Sequence, residues 1–275
     1  MPGRSKVLAT RQVNKKALLW SAFFVAWLLA PALQAEPCAP IGRGSEVSSR
    51  FVIDGDTLEL TDGRRVRLLG IDTPEIGRRG EPSEPFAQAA KKRLQQLVGG
   101  RGLRMYLGEE PRDRYGRTLA HLHTADGSNI EAQLLEEGLG FALVVPPNDA
   151  MADCHGLAER RARLEKLGVW SRSPITRASA VKEGGFTIVS GRVKSVSEGG
   201  GHLWLDLDGP ITLRIGRDER KAFAGSLKEG APRSWVGRQV EARGWIVDRQ
   251  RKGKSPTGFK RFMLPIRHPF MLEID

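Results

Sequence analysis

The chain has 275 residues, enough for two domains of ordinary size, and its hydrophobic content of 40% excludes a small scaffold held together only by disulfides. Its formal net charge of +12 predicts an anionic partner. That charge is distributed unevenly: residues 1–35 carry +5, residues 36–185 are formally neutral, and residues 186–275 carry +7.

The N-terminal 35 residues have the pattern of a targeting segment. Five basic residues precede an uncharged, mainly apolar run from Ala17 to Leu33. Cleavage after Ala35 would release the mature chain, whereas retention of the run would leave a membrane anchor, although the run is short for a full span. Both outcomes predict export to the periplasm or the extracellular space, with transient membrane contact during targeting.

The only two cysteines of the sequence are Cys38 and Cys154. Because thiols tend to pair in an oxidising compartment, export predicts a Cys38–Cys154 disulfide, and two unpaired thiols are the alternative. The bridge would fasten the start of the mature chain, an extension over residues 36–50, to a segment more than a hundred residues later.

The first predicted domain covers residues 51–171. Strands joined by tight Asp-Gly turns are expected from Phe51 to Leu69, and apolar residues at helical spacing predict a helix from Glu84 to Val98. The elements expected after it are strands over 103–107 and 118–123, a helix from Ile130 to near Gly138, a strand over 141–145, and a last helix with Leu157, Leu164 and Leu167 on its apolar face. This order predicts a mainly β, α+β domain, a five-stranded barrel of the OB-fold type with about three helices.

A second domain is expected after a linker over residues 172–185, which is rich in Ser, Arg and Gly and lacks apolar periodicity. Residues 186–275 form a basic, β-rich region with little helix. Its predicted strands lie at 186–189, 191–193, 203–207, 211–215, 240–247 and 270–274. A second small barrel of the OB type fits this pattern, and a β-sandwich is the alternative.

Two short motifs in the first domain are rich in carboxylates: Asp54-Gly55-Asp56-Thr57, and the segment Arg67 to Glu75, which includes Asp72-Thr73-Pro74-Glu75. Each motif alone is typical of a turn. Together they change the interpretation, because neighbouring strands can bring Asp56 and Asp72 to one hard cation. Asp54 is expected to stabilise the turn rather than to bind metal.

A third motif, Asp113-Arg114-Tyr115-Gly116-Arg117, adds a second arginine to Arg67. Bidentate guanidinium groups match the equatorial oxygens of a phosphate diester that gains negative charge as water adds to it. Carboxylates around a divalent cation, together with two such arginines, indicate a metal-dependent phosphodiesterase.

The three motifs, in this order and at this spacing, resemble those of the staphylococcal nuclease (thermonuclease-like) family. The resemblance covers residues 51–171 and includes the closing segment Leu167 to Ser171. It implies a calcium-dependent endonuclease that hydrolyses phosphodiester bonds of DNA and RNA and leaves 3′-phosphate ends.

The resemblance also implies roles for single residues. Asp56 and Asp72 would ligate Ca²⁺, with the carbonyl of Thr73 as a further ligand. Glu75 would either deprotonate or only position the attacking water, a choice that the sequence leaves open.

The basic residues of the motifs have implied roles as well. Arg67 and Arg117 would stabilise the charge that develops on the phosphorus oxygens, and Arg114 and Tyr115 would contact a terminal phosphate of the bound nucleotide. The basic loop over residues 77–80 would either guide the phosphate backbone or simply lie in solvent.

Two histidines and three aromatic residues leave alternatives open. His121 and His123 are expected on the surface of a strand, and not in a zinc site, because no third ligand is evident. The aromatic side chains are either stacking platforms for bases or core residues. They are Trp204, Trp245 and Phe259.

The basic C-terminal domain is expected to tether nucleic acid. Its charge is concentrated at Arg249, Arg251, Lys252, Lys254, Lys260 and Arg261. The anionic surface of the cell envelope is a second credible partner. A non-catalytic protein that binds nucleic acid or the envelope through two barrels is therefore the alternative to the nuclease.

Overall fold

A computed structural model describes residues 38–40, 42–223, 232–250 and 258–275. The predicted targeting segment and the basic residues Arg251, Lys252 and Lys254 lie outside these ranges. Among the helices within the ranges, none is long and apolar enough to cross a lipid bilayer.

Six strands form the first barrel. They are β1 (Ser45–Val47), β2 (Ser49–Val52), β3 (Thr57–Leu60), β4 (Arg65–Leu68), β6 (Leu103–Arg112) and β7 (Thr118–Thr124). β1 and β2 are two halves of one bent strand: β1 pairs with β6, β2 pairs with β3, and β4 runs parallel to β7. With the pairs β3–β4 and β6–β7, the bent strand closes the sheet in the order of an OB-fold barrel, which confirms the predicted fold. The barrel begins at Ser45, inside the segment expected to be an extension.

Three helices accompany this barrel, as predicted: α1 (Ala87–Val98), α2 (Ile130–Glu136) and α3 (Ala152–Glu165). The prediction that leucines form the buried face of α3 is wrong. Leu157 and Leu164 are 57% and 84% exposed, and the buried face instead consists of small and polar residues that include His155 and Glu159.

A two-stranded sheet links the barrel to α3. β5 (Ile71–Asp72) pairs with β8 (Phe141–Ala142), so that Asp72 lies opposite Phe141. β8 is shorter than the predicted strand over residues 141–145. The backbone N–H of Ala142 donates to Glu159 Oε1 of α3 at 2.8 Å, which fixes the position of the strand that pairs with Asp72.

A second barrel follows, and its strands are β10 (Gly185–Gly199), β11 (His202–Leu207), β12 (Ile211–Ile215), β13 (Gln239–Asp248) and β14 (Phe262–Ile266). β10 is long and bent, and it pairs with β13 through its first half and with β11 through its second half. β11 pairs with β12, which runs parallel to β14, and β14 pairs with β13. The sheet therefore closes in the same order as the first barrel, and this closure excludes the β-sandwich.

The segment predicted as a linker also has structure. β9 (Ile175–Arg177) runs parallel to β10, and the side chains of Ala178 and Val181 are buried in the hydrophobic core of the second barrel. A final strand, β15 (Leu272–Ile274), pairs with the edge of β13.

Polar and aromatic contacts dock the second barrel on the first. Arg243 Nη1 of β13 lies 2.6 Å from Glu159 Oε2 of α3, with both side chains almost completely buried. Arg163 of α3 makes two hydrogen bonds of 2.9 and 3.0 Å to Glu241. Phe186 of β10 lies 5.8 Å from Phe141 between ring centroids.

A Cys38–Cys154 disulfide joins the start of the described chain to α3. The backbone carbonyl of Cys38 also lies 2.9 Å from His123 Nε2. The bridge closes a span of 116 residues and holds the segment before β1 against the first barrel.

Candidate active site

The Asp-Gly-Asp motif forms the turn between β2 and β3. Asp54 Oδ1 accepts a hydrogen bond of 3.2 Å from the backbone N–H of Asp56, which stabilises the turn. A Cβ atom at Gly55 would lie 2.6 Å from both Thr73 Oγ1 and Ala90 Cβ, so only glycine fits. The motif therefore packs tightly on α1 and on the segment that follows Asp72.

Arg67 joins the two carboxylates that the sequence predicts as metal ligands. Its Nη1 lies 3.0 Å from Asp56 Oδ2, and its Nη2 lies 2.8 Å from Asp72 Oδ1. Nη1 also donates to the carbonyls of Leu68 and Ile71, so the guanidinium has a fixed orientation. Two carboxylates, one from the turn before β3 and one from β5, thus converge on one partly buried side chain.

Thr73 and Thr57 orient the Asp56 carboxylate. The backbone N–H and Oγ1 of Thr73 both donate to Asp56 Oδ2, at 3.0 and 3.1 Å, and Thr57 Oγ1 donates to Oδ1 at 3.0 Å. Thr73 is buried beside the predicted cation position, and the role of its carbonyl as a ligand stays a prediction.

The acidic cluster carries more negative charge than Arg67 compensates. Burial, reinforced by Asp56 and Glu75 against the opposing effect of Arg67, raises the pKa of Asp72 to about 7. Burial and the Asp56 carboxylate raise the pKa of Asp54 to about 6. A hard divalent cation among these oxygens would favour their ionised forms, so the donor set fits Ca²⁺.

An open cleft of about 690 Å³ lies beside the cluster. Its lining includes Asp54, Thr57, Glu75 and Arg117. The backbone of Glu75 exchanges hydrogen bonds with Glu84, since its N–H donates to Glu84 Oε2 at 2.9 Å and its carbonyl accepts from the Glu84 N–H at 3.0 Å. This pair of contacts holds an exposed carboxylate at the edge of the cleft.

The third motif forms the turn between β6 and β7. Asp113 holds Arg117 through both its backbone N–H, at 2.9 Å, and its Nε, at 2.7 Å. The Tyr115 ring is 69% exposed, and Arg114 Nη2 donates to its hydroxyl at 2.6 Å. Arg117 lines the open cleft and, with Arg67, a smaller cavity of about 200 Å³, so the two predicted catalytic arginines border the same space.

Sequence reasoning did not find the other basic residues around the open cleft. These residues, from two different segments, are Arg64, Arg65 and Arg112. Arg78 of the basic loop also lines the cleft, which favours the interpretation that this loop contacts a phosphate backbone. The formal neutrality of residues 36–185 therefore hides a local concentration of positive charge at the cleft.

The predicted position of the two histidines is wrong. His121 and His123 are 6% and 0% exposed, so neither lies on the surface of the strand. The third ligand that seemed absent also exists, because His121, Glu131 and His155 have potential ligand atoms within 4.8 Å of one another.

Most polar groups of this histidine cluster have a partner in the protein, whereas His155 Nδ1 is buried without a hydrogen-bond partner among the described residues. His121 Nδ1 lies 3.3 Å from Glu131 Oε1, and Asn129 Nδ2 donates to Glu131 Oε2 at 2.9 Å. His155 Nε2 lies 3.1 Å from Asn129 Oδ1, and burial lowers the pKa of His155 to about 4. We therefore interpret the cluster as a buried hydrogen-bond network.

The predicted stacking residues of the second barrel lie at its surface and not in its core. Trp245 and Phe259 are 46% and 52% exposed, and Trp204 is partly buried. The Arg249 guanidinium lies over both the Trp204 and the Phe259 rings, with centroid distances of 5.3 and 5.4 Å. Arg214, opposite Trp204 in the β11–β12 pair, adds a second guanidinium to this face.

Comparisons with known proteins bear on the first barrel. The sequence model of the family described as "Staphylococcal nuclease homologue" matches residues 65–172, a range that contains Arg67, Asp72, Glu75 and Arg117.

Three relatives illustrate the similarity. The chain is 36% identical to a thermonuclease of Staphylococcus intermedius, over 47% of this chain and 79% of the relative. It is 37% identical to endonuclease YncB of Bacillus subtilis (strain 168), over 44% of this chain and 59% of the relative. The identity to the SPbeta prophage-derived endonuclease YokF of the same organism is 36%, over 46% of this chain and 45% of the relative.

Proposed function

The chain belongs to the staphylococcal nuclease family and is a nuclease, and from that premise we propose that it is an exported, calcium-dependent enzyme that hydrolyses phosphodiester bonds of DNA and RNA. One observation carries the proposal. Arg67 holds Asp56 and Asp72 together at 3.0 and 2.8 Å and lines a cavity that it shares with Arg117.

Asp56 and Asp72, with the carbonyl of Thr73, are the residues proposed to hold the cation. A bound divalent cation supplies Lewis-acid polarisation of a phosphoryl oxygen. Ca²⁺ suits this set because all of its donors are oxygen atoms. The raised pKa values of Asp54 and Asp72 are consistent with the proposal, since burial and neighbouring carboxylates disfavour their ionised forms and a bound cation would offset that cost.

The remaining residues act on the water and on the phosphate. Glu75, at the edge of the cleft, would orient or deprotonate the attacking water. Arg67 and Arg117 would bind the equatorial oxygens of the five-coordinate phosphorus. Arg117 meets Asp113 through Nε, which leaves its terminal nitrogens for the substrate. Departure of the 5′-oxygen would leave a 3′-phosphate, and Arg114 and Tyr115 would contact the neighbouring phosphate.

Export is supported by the Cys38–Cys154 disulfide, because such bridges persist in oxidising compartments. The proposed location is the periplasm or the extracellular space. Proposed segments are a signal or anchor over residues 1–35, a nuclease domain over 51–171 and a basic accessory domain over 186–275.

We further propose that the accessory domain tethers nucleic acid through the face of Trp204, Arg214, Arg249 and Phe259. An aromatic ring and a guanidinium side by side can stack a base and neutralise a phosphate. The face lies on β11 and β12 and beside the β13–β14 connection, where OB-fold barrels commonly bind oligonucleotides. Lys260 contributes less, because its Nζ donates to the carbonyls of Leu207 and Gly209.

The first test is the substitution Glu75→Gln in the mature chain. With single-stranded DNA and Ca²⁺, we expect the rate of cleavage to fall by about 10²- to 10⁴-fold, the usual contribution of a general base. Glu81→Gln is the matched control, since Glu81 is an exposed carboxylate of the same loop that does not line the cleft. A chelator should abolish cleavage by both proteins.

Equal rates for the wild type and Glu75→Gln would refute the role of Glu75. Binding that is sensitive to salt, without cleavage in any divalent metal, would instead support the non-catalytic binding protein. The 3′-phosphate ends are tested by the failure of a polymerase to extend the products until a phosphatase has removed the terminal group.

A further inference from the structure

The outward face of β13 is directed at the first barrel. Glu241 bonds to Arg163, and Arg243 bonds to Glu159, so these two positions face α3. Side chains alternate along a strand, and position 245 is therefore the next on the same face. It is occupied by Trp245, whose ring is 46% exposed.

Trp245 reaches the smaller cavity of about 200 Å³, which Arg67 and Arg117 also line. The only contribution of the second barrel to the described lining is this tryptophan, and all the other lining residues belong to the first barrel. Several of these other side chains are apolar, and they are Leu69, Leu119, Leu143, Val145 and Pro146. The carboxylates of Glu110 and Asp113 also line the cavity, and Asp113 is paired with Arg117. One cavity thus combines two guanidiniums, an apolar wall and an exposed aromatic ring.

This combination has a chemical meaning. Arginines bind phosphate, whereas an apolar wall and an indole ring bind the flat face of a base. A volume of about 200 Å³ is below the roughly 300–1,000 Å³ of pockets for drug-sized ligands, so the cavity suits a single nucleoside. A phosphate held by the arginines would place its own nucleoside beside Trp245.

We propose that Trp245, from the second barrel, stacks on the base next to the phosphate that is cleaved, so that the accessory domain completes the substrate site of the first barrel. This inference rests on the proposed nuclease function. It differs from the tether, because Trp204 and Arg249 bind each other on a separate face of the second barrel, and neither lines this cavity.

The position of Trp245 is fixed by packing and not by a flexible loop. Its ring meets Phe186 edge to face at 5.6 Å, Phe186 lies 5.8 Å from Phe141, and Phe141 meets Trp170 at 5.4 Å. Phe141 is the residue opposite Asp72 in the β5–β8 pair. The stacking ring and the predicted metal ligand are therefore held by one continuous row of contacts.

The experiment is a double-mutant cycle between Trp245 and the base. The measurements use the Glu75→Gln background, which is expected to bind substrate without rapid cleavage. The affinity for a short single-stranded oligonucleotide is compared with the affinity for the same oligonucleotide carrying one abasic position. The abasic position is moved along the oligonucleotide, one nucleotide at a time. We expect Trp245→Ala to weaken binding of the intact oligonucleotide by about 5- to 150-fold and to make the abasic substitution at one position nearly silent.

Two control variants separate stacking from packing. Trp245→Phe keeps a ring and should retain most of the affinity and the discrimination against the abasic position. Phe51→Ala removes an exposed aromatic side chain of the first barrel that lines neither cavity, and it should change neither quantity. A loss of affinity in Trp245→Ala that is equal for intact and abasic oligonucleotides at every position would overturn the proposal and indicate a structural role.

Failure of the proposed nuclease function can be distinguished from failure of the stacking proposal. If the wild type binds but does not cleave in any divalent metal, the cycle still reports on Trp245 through the binding data alone. If the wild type still binds the intact oligonucleotide more tightly than the one that is abasic at a single position, and Trp245→Ala does not, the stacking site is supported while the catalytic proposal fails.

Discussion

Asp72 shows how one buried carboxylate links the charge of the site to the stability of the protein. Burial raises its pKa to about 7 from the usual 3.8, so without a cation the folded protein holds this proton more tightly than the unfolded chain does. The stabilising contribution of the Asp72 proton to the free energy of unfolding is therefore fully present below pH 3.8 and is lost as the pH rises through about 7. His155 has the opposite effect, because its lowered pKa makes folding less favourable as the pH falls from 6.5 towards 4.

The substitution Asp72→Asn separates the effect of Asp72 from that of His155. Between pH 4 and 7, the Asp72 carboxyl should make the free energy of unfolding fall as the pH rises, by at most about 1.4 kcal/mol per pH unit for one proton. With a chelator present, the variant should lack this contribution. Denaturant unfolding of the wild type and the variant at several pH values measures the difference. Addition of Ca²⁺ should flatten the pH dependence of the free energy of unfolding of the wild type and leave that of the variant unchanged. The same pH slope in both proteins would contradict the raised pKa.

The elements of the site differ in how far they could be predicted from the sequence. Asp56 lies in the turn before β3, which pairs with the strand of Arg67, and Asp72 follows Arg67 by only five residues, so short-range structure brings the three together. The buried face of α3 could not be predicted in the same way. Glu159 is buried because Arg243, 84 residues later, neutralises it, and no periodicity within the helix contains that information.

The position of Trp245 was beyond prediction for the same reason. The sequence identifies it as a candidate stacking residue, but only the docking of the two barrels brings it to a cavity that Arg67 and Arg117 line. The three additional arginines of the open cleft come from two segments that are distant in sequence, residues 64–65 and Arg112, and the average charge of the domain gives no sign of them. Interactions between distant segments account for most of what the sequence left undetermined.

The Arg243–Glu159 pair gives a prediction for the contact between the elements. Arg243→Ala should lower the free energy of unfolding by about 3–5 kcal/mol, because it leaves the Glu159 charge buried without a partner. Arg161→Ala is the matched control on α3, the helix of Glu159, since the Arg161–Glu165 pair is exposed and should contribute less than about 1 kcal/mol.

The double variant Arg243→Met with Glu159→Leu tests the reason for that loss. It removes both charges and should recover a large part of the lost stability. Denaturant unfolding measures all three proteins. If Arg243→Ala is no more destabilising than Arg161→Ala, the pair does not hold the barrels together.

At the scale of the molecule, the two proposals together divide the contacts with nucleic acid between two barrels of the same topology. The first carries the carboxylates and the clustered arginines, and the second contributes an aromatic and cationic face together with Trp245. The buried contacts of Arg243 and Glu159 argue against separating them. Deletion of residues 186–275 would leave Glu159 without its charge partner and would expose Ala162, Val169 and Trp170, which pack with Ile188 in a shared apolar cluster. Substitutions in the whole chain are therefore better tests of the second barrel than truncation.

The tether is tested in this way by Arg249→Ala. Removal of one phosphate contact should raise the KM for long single-stranded DNA and lower the slope of log K against log salt by about 0.7. Cleavage of an oligonucleotide of a few nucleotides should be unchanged, because Arg249 does not line the cavity shared by Arg67 and Arg117. Arg267→Ala, at an exposed arginine of the same barrel, is the control for loss of charge alone. If both variants shift the salt slope equally, general charge attracts the polyanion; a shift confined to Arg249→Ala places the contact on the face that Arg249 forms with Trp204 and Phe259.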